Sequence, residues 1–162
     1  MNLTLFIGVD PGQSGAFAAV SASGSLRGWI PGDATDKDLL DWLRSFREPS
    51  MDTGLLEDAF AVMEAVGAKP RITGDGQRVS MGAKGAMTFG DSRGRMRMAL
   101  VACGVPFDLV LPAKWQTALR CQRREKKQPQ TEHKRMLKAR AQELFPGVVV
   151  TLRLADALLL AE

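Results

Sequence analysis

The sequence predicts an α/β fold, a mixed sheet flanked by helices, and three observations carry that expectation. Three short apolar runs follow one another near the N-terminus, separated by glycine, proline and serine turns. Two further apolar runs come later, each preceded by a helical stretch. The first run, from Leu3 to Val9, ends abruptly in Asp10-Pro11-Gly12, an acid at the tip of an apolar strand. At 162 residues the chain suits one domain, spanning residues 1–162, with a sizeable core.

Residues 3–9 and 16–22 read as the first two strands, with 21–25 (Ser-Ala-Ser-Gly-Ser) as a turn. Leu26 to Ile30 adds a third, stopped by Pro31-Gly32, and three strands in succession make an antiparallel meander. Gly12 and Gly15 supply backbone conformations that a side chain would block. Thr35 or Asp36 caps a helix running to Arg47, whose apolar face is Leu39, Leu40, Trp42, Leu43 and Phe46. Trp42 belongs to core or rim. Asp58 to Val66 is a fourth strand, interrupted near its end by Glu64. A charge there is costly to bury unless it is paired, beside a metal, or at the strand's exposed end.

Lys69 to Gly90 is long, glycine-rich and basic, and reads as a loop that faces a substrate or contributes part of a helix. Asp91 or Ser92 starts a helix to about Cys103, with Met96, Ala99, Leu100 and Cys103 inward and Arg93 and Arg97 on another side. Phe107 to Leu111 is the fifth strand, and Pro112 opens a short helix to Leu119. Arg120 to Gln130 reads as an exposed linker. Thr131 or Glu132 opens a helix to Leu144, and Ala155 to Glu162 a last one with Asp156 in its first turn.

Composition limits the function classes. No stretch approaches the roughly 18 apolar residues of a membrane span, so no membrane partner is expected. Cys103 and Cys121 show no zinc spacing, His133 is the one histidine, and a reducing, cytoplasmic setting is the default. Charge is unevenly spread. Residues 1–68 hold four basic and ten acidic side chains, whereas residues 114–140 hold ten basic and two acidic. A positive middle joined to an acidic start suits a polyanion partner, and equally a solvated basic face.

Asp10, Glu64 and Asp156 come from three distant places. With the first strand central and the fourth beside it, the first two acids sit side by side, and a C-terminal helix across the sheet brings the third. Three carboxylates in one pocket repel one another unless a cation holds them, which implies a hard divalent metal. Acids for metal beside a basic surface for backbone is what a nuclease needs. Taken singly, Asp10 reads as a polar hairpin residue and Glu64 as a salt-bridged strand end.

At these residues the sequence resembles the RuvC-type Holliday-junction resolvases of the ribonuclease H-like superfamily, in their compact phage and chloroplast branch. The resemblance rests on Ile7-Gly8-Val9-Asp10-Pro11-Gly12 with Ser14-Gly15-Ala16, Val62-Met63-Glu64, and Phe89-Gly90. It continues through residues 104–110 and Pro112-Ala113-Lys114-Trp115-Gln116, Lys138-Ala139-Arg140-Ala141 leading to Leu144-Phe145-Pro146, and residues 155–161. It implies a ribonuclease H-like fold with a five-stranded mixed sheet. It also implies a homodimeric endonuclease that cuts four-way DNA junctions by symmetric nicks. Asp10, Glu64 and Asp156 would be its catalytic and metal-binding acids, with Mg²⁺ or Mn²⁺, two ions per site, as cofactor.

One departure stands out. The family generally carries a fourth metal-site residue, often an acid three positions before the last Asp, and here that position is Arg153. Either another acid such as Glu162 completes the site, Arg153 contacts the scissile phosphate, or activity is weakened. Arg71, Arg78 and Lys84 are expected at the junction centre and Lys114 near the substrate, with Lys126, Lys127, Lys134 and Lys138 adding backbone attraction. A non-catalytic branched-DNA-binding protein is the alternative. A nucleotide cofactor is not expected, because no second glycine-rich phosphate loop follows the first.

Overall fold

The computed structural model describes residues 5–12, 14–46, 58–67, 71–72, 78–80, 82–123 and 128–162. The three N-terminal runs form β1 (Leu5–Asp10), β2 (Ala16–Ser21) and β3 (Leu26–Pro31), followed by α1 (Asp36–Arg44) and β4 (Ala59–Glu64). A short hairpin, β5 (Arg71–Ile72) and β6 (Arg78–Val79), precedes α2 (Ala83–Ala102). Then come β7 (Phe107–Val110), α3 (Pro112–Ala118), α4 (Gln130–Leu144) and α5 (Leu152–Ala161).

The main sheet has five strands in the order β3-β2-β1-β4-β7. The meander is antiparallel, while β4 runs parallel to β1 and β7 parallel to β4. The first strand is therefore central and the fourth lies beside it, as the sequence predicts. Side chains alternate between two cores, as the pleat requires. Leu5, Ile7 and Val9, with Phe17, Ala19, Ala61 and Met63, pack against α1 and α2. Ala16, Ala18 and Val20 face the other way, against α4 and α5.

Several boundaries differ from the sequence reading. Thr35 caps α1 through a reciprocal pair of bonds with Asp38, as expected, but the helix stops at Arg44; the predicted end, Arg47, lies outside the described residues. Trp42 is partly buried and packs edge-on to Phe46 at 4.9 Å between ring centroids. The glycine-rich stretch is not simply a loop, since α2 begins at Ala83 and runs through Gly85, Gly90 and Gly94. A predicted inward set of Met96, Ala99, Leu100 and Cys103 is buried. The linker from Arg120 also begins firmly: Cys121 is buried and its N–H donates to the Gln116 carbonyl at 2.8 Å.

The C-terminal helix starts three residues early. Thr151 caps it, its hydroxyl accepting from the Leu154 N–H at 3.2 Å, so Asp156 falls in the second turn. Both cysteines are buried free thiols, and among the described residues no helix is long and apolar enough to cross a membrane.

Candidate active site

The period of two along a strand decides which side chains share a face. On β1 that face carries Gly8 and Asp10; on β4 it carries Val62 and Glu64. Because the two strands are parallel and Val9 pairs with Met63, Asp10 and Glu64 stand next to each other at the same end of the sheet. Helix α5 lies across this face at unusually close range. A Cβ on Gly8 would sit 1.8 Å from the Ala157 carbonyl oxygen, so glycine alone admits the helix backbone there. That approach brings Asp156, the residue before Ala157, over the strand that ends in Asp10. The turn after Asp10 is fixed by Gly12, which takes φ +142°, in the region L side chains rarely adopt.

Helix α4 supplies the fourth charge. His133, Leu137 and Ala141 form its buried stripe, and Lys134 flanks that stripe at the rim of the site. Its ammonium donates to Asp156 Oδ2 at 2.6 Å. The other oxygen, Asp156 Oδ1, is buried without a hydrogen-bond partner. From α3, the Trp115 indole N–H donates to Glu64 Oε1 at 3.0 Å, and both residues are buried.

Electrostatics reflect a surplus of negative charge. Burial, reinforced by the charges of Asp156 and Glu64, pushes the Asp10 carboxyl up to about 7, despite the opposing pull of Lys134. Burial also raises Glu64; the Trp115 bond and Lys134 pull it down, and Asp156 pushes it up. Burial works against the Lys134 charge, yet Asp156, Asp10 and Glu64 together hold its pKa above the ordinary lysine value. Three carboxylates thus share one ammonium, and one carboxylate oxygen is unmatched. This favours a further cation, and an all-oxygen donor set selects a hard one.

Among the described residues, no three acidic, histidine or cysteine groups draw close enough to enclose a metal ion by themselves. Magnesium does not need such a cage, because it is usually held by one or two carboxylates, waters and substrate phosphate. The all-oxygen donors of Asp10, Glu64 and Asp156 therefore fit a magnesium-type ion that one or two of them could hold.

The remaining predicted residues divide by location. Arg71 and Arg78 lie in the β5–β6 hairpin, but their side chains are outside the described residues, as are Lys126 and Lys127 altogether. Lys84, Lys114 and Lys138 are exposed on α2, α3 and α4. Lys134, expected to give general backbone attraction, lies beside the acids and binds Asp156. Arg153 pairs with Asp33 Oδ2 at 2.8 Å. Glu162 is exposed beyond the last turn of α5, six residues and roughly 9 Å along the helix axis past Asp156.

Sequence reasoning gave no role to Asp33, and it counted Lys134 among the DNA-binding cations without foreseeing its bond to Asp156. It left Trp115 open between core and contact. Trp115 is both. Replacing it with Phe keeps the ring and removes the donor. The expected result is a stability loss of about 1–3 kcal/mol in thermal unfolding. The bond favours the charged carboxylate, so its loss raises Glu64 further and moves the acidic limb of any pH–rate profile to higher pH.

Comparison with protein-family models gives no match, and comparison with curated proteins gives none either. Solved structures do match. Thermus thermophilus RuvC in complex with a Holliday-junction substrate superposes with a TM-score of 0.57 at 17% identity, covering 97% of this chain and 90% of that one. A second T. thermophilus RuvC structure gives 0.54 at the same identity and coverage. At that identity the likeness is one of fold. The chain has the mixed five-stranded sheet and flanking helices of the RuvC, ribonuclease H-like fold.

Proposed function

We propose that this chain is a structure-selective endonuclease that resolves four-way DNA junctions by divalent-metal-dependent phosphodiester hydrolysis with paired symmetric nicks. The observation that carries the reading is the meeting of Asp10, Glu64 and Asp156 from β1, β4 and α5. They meet on a fold whose T. thermophilus counterpart is seen with a Holliday junction.

A bound Mg²⁺ or Mn²⁺ pair would polarise the scissile phosphate and lower the pKa of an attacking water. The chain's own residues do the rest. Asp10, rigid at the end of a central strand, and Glu64 beside it present oxygens at one edge of the sheet. Trp115 restrains the rotation of Glu64 by binding one of its oxygens. Asp156 keeps Oδ1 unengaged while Oδ2 holds Lys134. That ammonium moderates repulsion among the acids and can pass to a phosphate oxygen when substrate brings its own charge.

A junction has two-fold symmetry and needs two cuts, so a homodimer with two sites is the matching assembly. The outer face of α2 is suited to pairing. Met98 is 60% exposed and Val101 53%, beside an apolar groove shared with Leu39 and Leu40 of α1.

The test is a synthetic four-way junction with matched duplex arms as control, incubated with Mg²⁺ or Mn²⁺ and with EDTA. Nicks on opposed strands of the junction alone, from a species that sediments as a dimer, are expected. Tight junction binding with no product under either metal would favour a non-catalytic branched-DNA-binding protein, the reading that Arg153 at the fourth position keeps in view.

A further inference from the structure

Arg153 does not point at nothing. It helps line a cleft of about 410 Å³ together with Ser14, Leu152 and Lys134. Lys134 is the shared wall, since its ammonium contacts Asp156 on the acidic side. Ser14 belongs to the turn that follows Asp10, and Arg153 lies one helical turn before Asp156 on α5. The cleft is thus a cationic annex to the carboxylates, built from the turn after β1, α4 and α5.

The guanidinium is meanwhile engaged by an internal anion, Asp33, at 2.8 Å. Asp33 rides on a loop that is well anchored. The Gly32 N–H donates to the Gly15 carbonyl at 2.9 Å, tying the loop to the Asp10 turn. From α2, Arg95 donates to the Ala34 carbonyl at 2.5 Å and pairs with Asp36. Hydrogen bonding to Arg153 holds the Asp33 carboxyl below its ordinary value, so it stays charged at neutral pH. Both partners are partly open to water, which makes the pair weak. A phosphodiester offers the guanidinium an anion of better-matched geometry.

Resting on the nuclease reading above, we propose that this cleft is a subsite for a DNA phosphate flanking the scissile one. Arg153 and Lys134 are its ligands, and Asp33 is a built-in competitor that the incoming strand displaces. The departure at the fourth corner is then an exchange of function. An acid that would add to the charge surplus is replaced by a cation that grips the strand, muted by Asp33 until DNA arrives.

The test measures affinity for a fluorescent four-way junction in EDTA across a salt series, with nicking in Mg²⁺ alongside. Arg153→Gln should weaken binding and reduce the slope of log K against log salt by about one, the signature of one lost phosphate contact. Asp33→Asn should tighten binding by about three- to fivefold, the size of an exposed ion pair. The double variant should match Arg153→Gln alone, because Asp33 acts only through Arg153.

Unchanged or weaker binding by Asp33→Asn overturns the proposal, as does a gain that survives in the double variant, which would be general charge attraction. If wild type nicks the junction while Asp33→Asn shows no gain, the subsite fails and the nuclease reading stands. If wild type neither binds nor nicks a junction in preference to duplex, the nuclease reading itself fails and the subsite falls with it.

Discussion

Asp10→Asn should reduce junction nicking by about a thousandfold while leaving junction affinity in EDTA close to that of wild type. The amide keeps the size of the carboxyl and the turn around it, so the strand end is undisturbed. What it removes is an anionic oxygen donor at the point where β1 meets β4 and α5. Loss of one metal carboxylate costs several kcal/mol of transition-state charge stabilisation, which corresponds to roughly three powers of ten in rate. Loss of binding instead would assign Asp10 to DNA contact and sink its role in the chemistry.

The same substitution has a signature in stability that needs no metal. The folded protein holds Asp10 at about 7, well above the ordinary carboxyl value of 3.8. A raised pKa means that the fold favours the protonated form. The stability it contributes is complete below about 4, declines as pH climbs, and is gone once pH passes about 7. Asn cannot titrate. The difference in unfolding free energy between wild type and variant, in EDTA, should therefore shift against wild type by about 1.4 kcal/mol per pH unit between roughly pH 4 and 7. Above pH 8 it should be flat. Added Mg²⁺ should restore wild type at pH 8 and do little for the variant, because ligand binding stabilises only the protein that can hold it. Protons and metal compete for the same carboxylate, so the Mg²⁺ needed for nicking should rise as pH falls below 7. A pH-independent difference between the two proteins would mean that the Asp10 carboxyl is neither buried nor crowded by Asp156 and Glu64 as the structure has it.

Much of this site was legible because local pattern and topology agree there. Apolar runs bounded by turns located the strands, and the period of two placed Asp10 and Glu64 on one face once β1 and β4 were neighbours. Asp156 needed only a helix laid across that face. Where reading failed, the deciding contact was long-range or the local signal misled. Four glycines within residues 82–94 lower helix propensity and disguise the first half of α2 as loop. Thr151 hides a cap behind the unremarkable Leu152-Arg153-Leu154. Lys134 looks like its neighbours in a basic stretch, and only the packing of α4 against α5 separates it from Lys138. Asp33 and Arg153 are far apart in sequence, and nothing local to either announces the other.

Gly8→Ala is expected to damage the protein most for the smallest chemical change. The new Cβ would stand 1.8 Å from the Ala157 carbonyl oxygen and 2.7 Å from the Ala161 N–H nitrogen. Those are helix backbone atoms, which cannot swing aside as a side chain can, so α5 as a body must back away from β1. Every residue of that helix from Leu154 to Ala161 is buried, and its retreat loosens contacts with β2 and α4 as well. Overpacking of this kind costs about 1–3 kcal/mol, a fall of roughly 2–12 °C in melting temperature for a chain of this length. Activity should suffer more than stability predicts. Asp156 moves with Ala157, and a displacement near 1 Å at a reacting centre costs about a hundredfold in rate. Nicking should thus collapse at temperatures where circular dichroism still reports a folded protein, with junction affinity in EDTA largely kept. Wild-type nicking by a variant of lowered melting temperature would show that the sheet can yield without moving Asp156. The close seating of α5 on Gly8 would then be a matter of packing, not of how the third acid reaches the other two.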